Sequence, residues 1–122
     1  MAKGRPRVLI IEDDFSIRTQ LARVLEEEGY DVASAADGAE GLDYLLTHAY
    51  PKVIVLDIYM PHMDGVEFLQ EMQRSPQLAS IPVIAVSAAA NLKRLAPHLP
   101  VAAQVSKPID LDAFIDIVKG QV

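Results

Sequence analysis

Charged residues follow short apolar runs at three widely separated places in this sequence of 122 residues. Glu12 and Asp13 follow V-L-I-I, Asp57 follows V-I-V-L, and Lys107 follows A-Q-V-S. If these runs are parallel strands, the charged groups meet at one edge of a sheet. Two like charges about 5 Å apart repel by roughly 3 kcal/mol at an effective dielectric near 20. The carboxylates therefore indicate a site for a divalent cation.

Segments with helical periodicity separate the apolar runs. Strands are predicted at residues 7–12, 32–35, 53–56, 83–86 and 102–105. A first helix is predicted over residues 15–28, where apolar side chains recur every three or four positions. Because parallel strands need a crossover connection, five strands alternating with about five helices predict an α/β fold with a doubly wound parallel sheet. Ligands of such sheets bind at the carboxyl ends of the strands.

Composition narrows the classes of protein. The chain has 11 basic and 17 acidic residues, and its net charge of −6 argues against direct nucleic-acid binding. The sequence contains no cysteine, which excludes disulfides and thiolate metal sites. It lacks a run of 18 apolar residues and a signal-peptide core, so we expect a cytoplasmic protein without membrane insertion. We expect residues 1–122 to form a single domain with no effector domain.

Four motifs together resemble the receiver domains of two-component response regulators. They are V-L-I-I-E-D-D, D-I-Y-M-P-H-M-D-G from Asp57, V-I-A-V-S-A ending at Ala88, and S-K-P at residues 106–108. The resemblance covers essentially the whole chain. It implies a flavodoxin-like receiver fold with strand order 2-1-3-4-5. It also implies an aspartate that is phosphorylated by a histidine kinase or a histidine phosphotransfer protein, and a conformational switch that a downstream effector reads.

The resemblance, taken with the chemistry of the residues, assigns roles to six positions. Asp57 is expected to be the phosphoacceptor, because a carboxylate can attack a phosphoryl group whose charge is screened. Ser87 and Lys107 are expected to bind the phosphoryl oxygens. The expected Mg²⁺ ligands are Glu12, Asp13, Asp57 and the backbone carbonyl of Tyr59. The predicted protein is a regulatory phosphoacceptor that assists only its own phosphorylation and dephosphorylation.

Two residues and one segment depart from the usual family pattern. Glu12 stands where the family more often has aspartate, and its longer side chain could reach the metal through water. Gln104 replaces the aromatic residue that in the family usually lies three positions before the lysine and moves inward when the hydroxyl residue binds the phosphate. The segment before Lys107 is about two residues short and contains Pro97 and Pro100, which predicts a short or irregular fourth helix.

Other functions remain open from the sequence. A flavin-binding protein would share the fold, but the acidic run at residues 12–14 would repel its phosphate. A metal-dependent aspartyl phosphatase typically has a second acid two residues after the nucleophile, where this chain has Tyr59. A receiver-like interaction scaffold with weak or no phosphorylation is the third alternative. The kinase, the signal and the output are not encoded in any motif of the chain.

Overall fold

A five-stranded parallel sheet organises the computed structural model, which describes residues 4–60, 63–95 and 99–122. The strand order is β2-β1-β3-β4-β5, so the predicted fold class is confirmed. The strands are β1 Arg7–Ile11, β2 Asp31–Ala35, β3 Val53–Asp57, β4 Val83–Ala88 and β5 Ala103–Lys107. The helices are α1 Phe15–Glu27, α2 Gly38–Thr47, α3 Gly65–Met72, α4 Pro76–Ala79, α5 Ala89–Leu95 and α6 Leu111–Gln121.

Helices cover both faces of the sheet, and alternate strand residues point to opposite sides. Leu9 and Ile11 of β1 pack in the core beneath α2, α3, α4 and α5. Val8 and Ile10 pack in the second core, beneath α1 and α6. Both cores are closed to solvent, which explains why the central strands read as continuous apolar runs.

Short polar side chains fix where the longer helices begin. The carboxylates of Asp14, Asp37, Asp64 and Asp110 each accept a hydrogen bond from a backbone N–H in the first turn of α1, α2, α3 and α6. Each cap satisfies one of the N–H groups that a helix leaves without an internal partner. Because three of these helices follow the carboxyl ends of β1, β3 and β5, their caps lie close to the ends where the charged residues collect.

The structure corrects several predicted boundaries. β4 runs through Ser87 to Ala88, and β5 runs through Ser106 to Lys107, because Ser87 pairs with Ser106 and Ala88 with Lys107. The lysine is therefore the last residue of its strand. An additional short helix, α4, follows the Ser75 cap, which raises the number of helices in the described part to six.

The helix after β4 has the short length that its prolines predicted. α5 contains seven residues, Ala89–Leu95. Pro97 lies outside the described residues, as does Pro61 of the motif that follows Asp57. None of the helices in the described ranges is long and apolar enough to cross a membrane.

Candidate functional site

The predicted charged residues converge at the carboxyl edge of the sheet. Glu12 follows β1, Asp57 ends β3, and Lys107 ends β5. One oxygen from each of Glu12, Asp13 and Asp57 lies within 4.8 Å of the others. Glu12 and Asp57 are buried, with 2% and 3% of their surface exposed, whereas Asp13 is exposed. Two buried carboxylates and one solvent-facing carboxylate thus form a single acidic cluster.

Lys107 lies between the two buried carboxylates. Its Nζ is 3.1 Å from Oε1 of Glu12 and 3.5 Å from Oδ2 of Asp57. Glu12 is the nearer of the two partners. Burial alone would lower the pKa of Lys107, but hydrogen bonding to Glu12 and the charge of Asp57 outweigh it and raise that pKa. The lysine therefore stays charged beside the acidic cluster.

Asp57 is the group whose ionisation this environment most disfavours. Burial, followed by hydrogen bonding and repulsion from Glu12, raises the pKa of Asp57 to about 8, against the opposing effect of Lys107. One lysine is thus insufficient to compensate the buried carboxylates. An additional cation would restore the ionised form. The three carboxylates provide the oxygen ligands that hard divalent cations prefer, so the residues present fit such an ion.

Backbone contacts hold the acidic turn in place. The N–H of Asp14 donates to Oε2 of Glu12 at 3.1 Å, so both oxygens of Glu12 have partners. The guanidinium of Arg18, in α1, donates to the main-chain carbonyl of Glu12 at 2.7 Å and to that of Asp13 at 3.4 Å. The sequence did not identify Arg18, because an arginine on a helix carries no signal for the carbonyls it will reach.

The turn after Asp57 is closely fitted to the acceptor strand. The N–H of Tyr59 donates to Oδ1 of Asp57 at 3.2 Å, and the N–H of Gly65 donates to the carbonyl of Ile58 at 2.8 Å. A Cβ on Gly65 would lie 2.6 Å from Cα of Ile58 and 2.9 Å from the carbonyl oxygen of Asp57. Only glycine fits where α3 begins.

The side chains of Tyr59 and Ser87 differ in their exposure. The Tyr59 ring is 47% exposed, and its hydroxyl is hydrogen bonded to Nη2 of Arg94 in α5. Ser87 is buried at the strand end, one strand away from Asp57. The metal-ligand role of the Tyr59 carbonyl and the phosphate-binding role of Ser87 stay predictions.

Comparison with known proteins identifies the family. Residues 8–119 match the response regulator receiver domain family. The chain therefore belongs to the response regulator receiver family. A receiver is a regulatory phosphoacceptor domain, and the predicted class of protein is confirmed.

Curated relatives of this receiver differ in length. It is 30% identical over 113 residues to sporulation initiation phosphotransferase F of Bacillus subtilis, covering 93% of this chain and 90% of the relative. It is 33% identical over 117 residues to the DNA-binding dual master transcriptional regulator RpaA of Synechocystis, covering 94% of this chain and 48% of the relative. This receiver thus spans about half the length of RpaA.

Solved receiver structures share the whole architecture. Chemotaxis response regulator CheY4 of Vibrio cholerae superposes with a TM-score of 0.88 at 25% identity, covering 97% of this chain and 99% of that one. Response regulator protein TrrA of Thermotoga maritima, solved in complex with Mg²⁺-BeF, gives a TM-score of 0.84 at 26% identity, with 96% and 99% covered. Both similarities cover nearly the whole of this chain.

Gln104 stands where the family usually has an aromatic residue. Gln104 lies in the edge strand β5, pairs with Ala85, and is exposed. A polar, solvent-facing side chain has no reason to enter the core when the site changes. Movement of residue 104 into the core is therefore disfavoured in this chain.

Proposed function

We propose that this receiver accepts one phosphoryl group on Asp57 from a phosphohistidine of a histidine kinase or a histidine phosphotransfer protein. The observation that supports this most directly is the grouping of Asp57 with the carboxylates of Glu12 and Asp13 and with the ammonium group of Lys107. An acid surrounded by acids and one lysine is costly for folding, but it suits the binding of a cation and then of a phosphoryl group.

The transfer is a displacement at phosphorus. A carboxylate oxygen of Asp57 forms the new P–O bond while the P–N bond to the donor imidazole breaks. The imidazole leaves with the electron pair of that bond and takes up a proton from solvent. The product is an acyl phosphate on Asp57. The receiver contributes the nucleophile and the positive charge, and the donor contributes the activated phosphoryl group.

Lys107 and Ser87 act on the product side of the transfer. Formation of the acyl phosphate removes the charge from the Asp57 carboxyl, so Lys107 can exchange its contact with Asp57 for one with a phosphoryl oxygen while it stays next to Glu12. The hydroxyl of Ser87 donates to another phosphoryl oxygen. Both groups lie at strand ends whose positions are fixed by the pairing of β4 with β5. Little reorganisation is needed before the phosphoryl group is bound.

Mg²⁺ is the proposed cation, held by Glu12, Asp13, Asp57 and the backbone carbonyl of Tyr59. When bound, it supplies positive charge that screens the carboxylates and the incoming phosphoryl oxygens. The receiver promotes only its own phosphorylation and dephosphorylation. We further propose that it works in the cytoplasm and passes its state to an effector protein or domain without contacting nucleic acid itself.

Intact-protein mass spectrometry with acetyl phosphate and Mg²⁺ tests this function. We expect one phosphoryl group on the wild type and none on Asp57→Asn, because the amide is not a nucleophile. Asp43→Asn is the matched control, since Asp43 is an exposed aspartate on α2, and it should label like the wild type. Equal labelling of Asp57→Asn would refute the assignment. Sustained phosphate release from a phosphate ester would favour a phosphatase instead.

A further inference from the structure

Tyr59 connects the acceptor to the helix that follows β4. Its backbone N–H donates to Oδ1 of Asp57, and its side-chain hydroxyl is hydrogen bonded to Arg94, which is 35 positions later in the chain. Arg94 lies in the last turn of α5. One residue therefore contacts the phosphoacceptor through its main chain and an exposed helix through its ring.

α5 is a short helix that is exposed at its start. The helix has seven residues, and Ala89 and Ala90 at its start are exposed. Among residues 89–94 of this helix, Leu92 is the one whose side chain is buried in the core. A helix of seven residues has little stability of its own. The bond between Tyr59 and Arg94 therefore helps to order the end of α5.

We propose that the Tyr59–Arg94 bond is a latch that holds α5 while Asp57 is unphosphorylated, and that phosphorylation releases it. This inference rests on the proposed function. In the acyl phosphate, the Asp57 oxygen that accepts the Tyr59 N–H no longer carries a carboxylate charge. The phosphoryl oxygens compete for that N–H as stronger acceptors. The Tyr59 peptide turns toward the phosphoryl group, and its ring moves away from Arg94.

The latch gives this receiver an output route that does not require residue 104. Gln104 is exposed on β5, whereas Tyr59 already contacts both the acceptor and α5. A conformational change follows from a modification only where the two states differ in contacts. Here the differing contact is the hydrogen bond from the Tyr59 N–H, and the element that responds is α5.

Hydrogen exchange of residues 89–95, with and without Mg²⁺ and beryllofluoride, tests the latch in Arg94→Ala. In the wild type we expect the mimic to speed exchange about fivefold, the effect of losing one ordinary hydrogen bond. In Arg94→Ala, exchange should already be fast, with no further change on adding the mimic. Lys93→Ala is the matched control, because it removes a neighbouring exposed cation from α5, and it should behave like the wild type.

Tyr59→Phe removes the same bond from the other partner, and Tyr50→Phe is its control because both rings are 47% exposed. Tyr59→Phe should exchange like Arg94→Ala, and Tyr50→Phe like the wild type. Wild-type exchange behaviour in Arg94→Ala would overturn the latch.

Labelling by acetyl phosphate, measured on the same samples, separates the two proposals. Arg94→Ala should label like the wild type. A wild type that labels while its α5 exchange is unchanged would overturn the latch alone. A wild type that does not label would overturn the proposed function, and the latch with it.

Discussion

Charged side chains are paired one to one at the amino ends of the parallel strands, whereas carboxylates outnumber the lysine at the carboxyl ends. At the amino end, Arg7 and Asp31 pair one to one at 2.6 Å, and Arg7 also donates to the hydroxyl of Tyr44 at 2.8 Å. Asp31 and Tyr44 raise the pKa of Arg7 further, which marks a favourable pairing. At the carboxyl end, Glu12 and Asp57 share Lys107, and ionisation of Asp57 is disfavoured.

An open cavity and the buried acidic cluster lie at opposite ends of the strands. A cavity of about 650 Å³ opens at the amino end, where its walls include Arg5, Tyr30, Tyr50 and Lys52. The acidic cluster lies at the opposite edge of the sheet. In this receiver, unbalanced buried charge identifies the site better than open volume does, because that imbalance is relieved by a cation or a phosphoryl group.

Metal affinity should show the largest difference between the two ends. Asp13→Ala should weaken Mg²⁺ binding at least tenfold, or about 1.4 kcal/mol, because it removes the exposed carboxylate of the cluster. Glu12→Ala should weaken binding less, because both Glu12 oxygens already have partners in the protein. Asp31→Ala at the amino end should have no effect. Calorimetric titration measures all three, and unchanged affinity in Asp13→Ala would refute the predicted site.

In the absence of divalent cations, Asp57→Asn should make the protein more stable even though it should abolish phosphorylation. Asp57→Asn should raise the free energy of unfolding by about 1 to 3 kcal/mol near pH 8, since each unit of pKa shift corresponds to about 1.4 kcal/mol. Part of this gain is lost because the substitution removes the ion pair between Asp57 and Lys107.

The pH dependence of that gain follows from the raised pKa. A carboxyl whose folded pKa is about 8 binds more protons in the folded state, so wild-type stability falls as pH rises from about 4 to about 8. The difference between wild type and Asp57→Asn should be near zero at pH 4 and largest near pH 8. Urea unfolding in the presence of a chelator measures it, and a difference that does not vary with pH would contradict this origin.

Neutralising a carboxylate at the amino end should change the free energy of unfolding least, and should lower it where Asp57→Asn raises it. Asp31→Asn should lower the free energy of unfolding by at most about 1 kcal/mol, because both side chains of the pair with Arg7 are partly exposed to solvent. The loss should shrink at high salt, which screens exposed charges. If Asp31→Asn and Asp57→Asn shifted stability in the same direction, the contrast between the two ends would be wrong.

The sequence predicted the elements that obey periodicity. Apolar runs located the five strands, and a charged residue at the end of a run located Glu12, Asp57 and Lys107. The order of the strands came from the family resemblance. The short helix α4 was missed although Ser75 followed by Pro76 is a helix-start signal.

Contacts between side chains far apart in the sequence could not be predicted. The nearer approach of Lys107 to Glu12 depends on the length of one glutamate and on which oxygen its rotamer presents. The bond between Tyr59 and Arg94 joins two exposed residues with no shared periodicity. Such contacts depend on packing geometry, which only the folded chain defines.

Gly65 offers a way to change the position of α3 relative to the acceptor strand by a single substitution. A single added methyl group would have to displace α3 from the end of the acceptor strand, since Cα of Ile58 and the carbonyl of Asp57 already fill the space. No ionisable group would be altered by that change. We expect Gly65→Ala to lower the phosphorylation rate through this displacement alone, because all the charged groups of the site are kept.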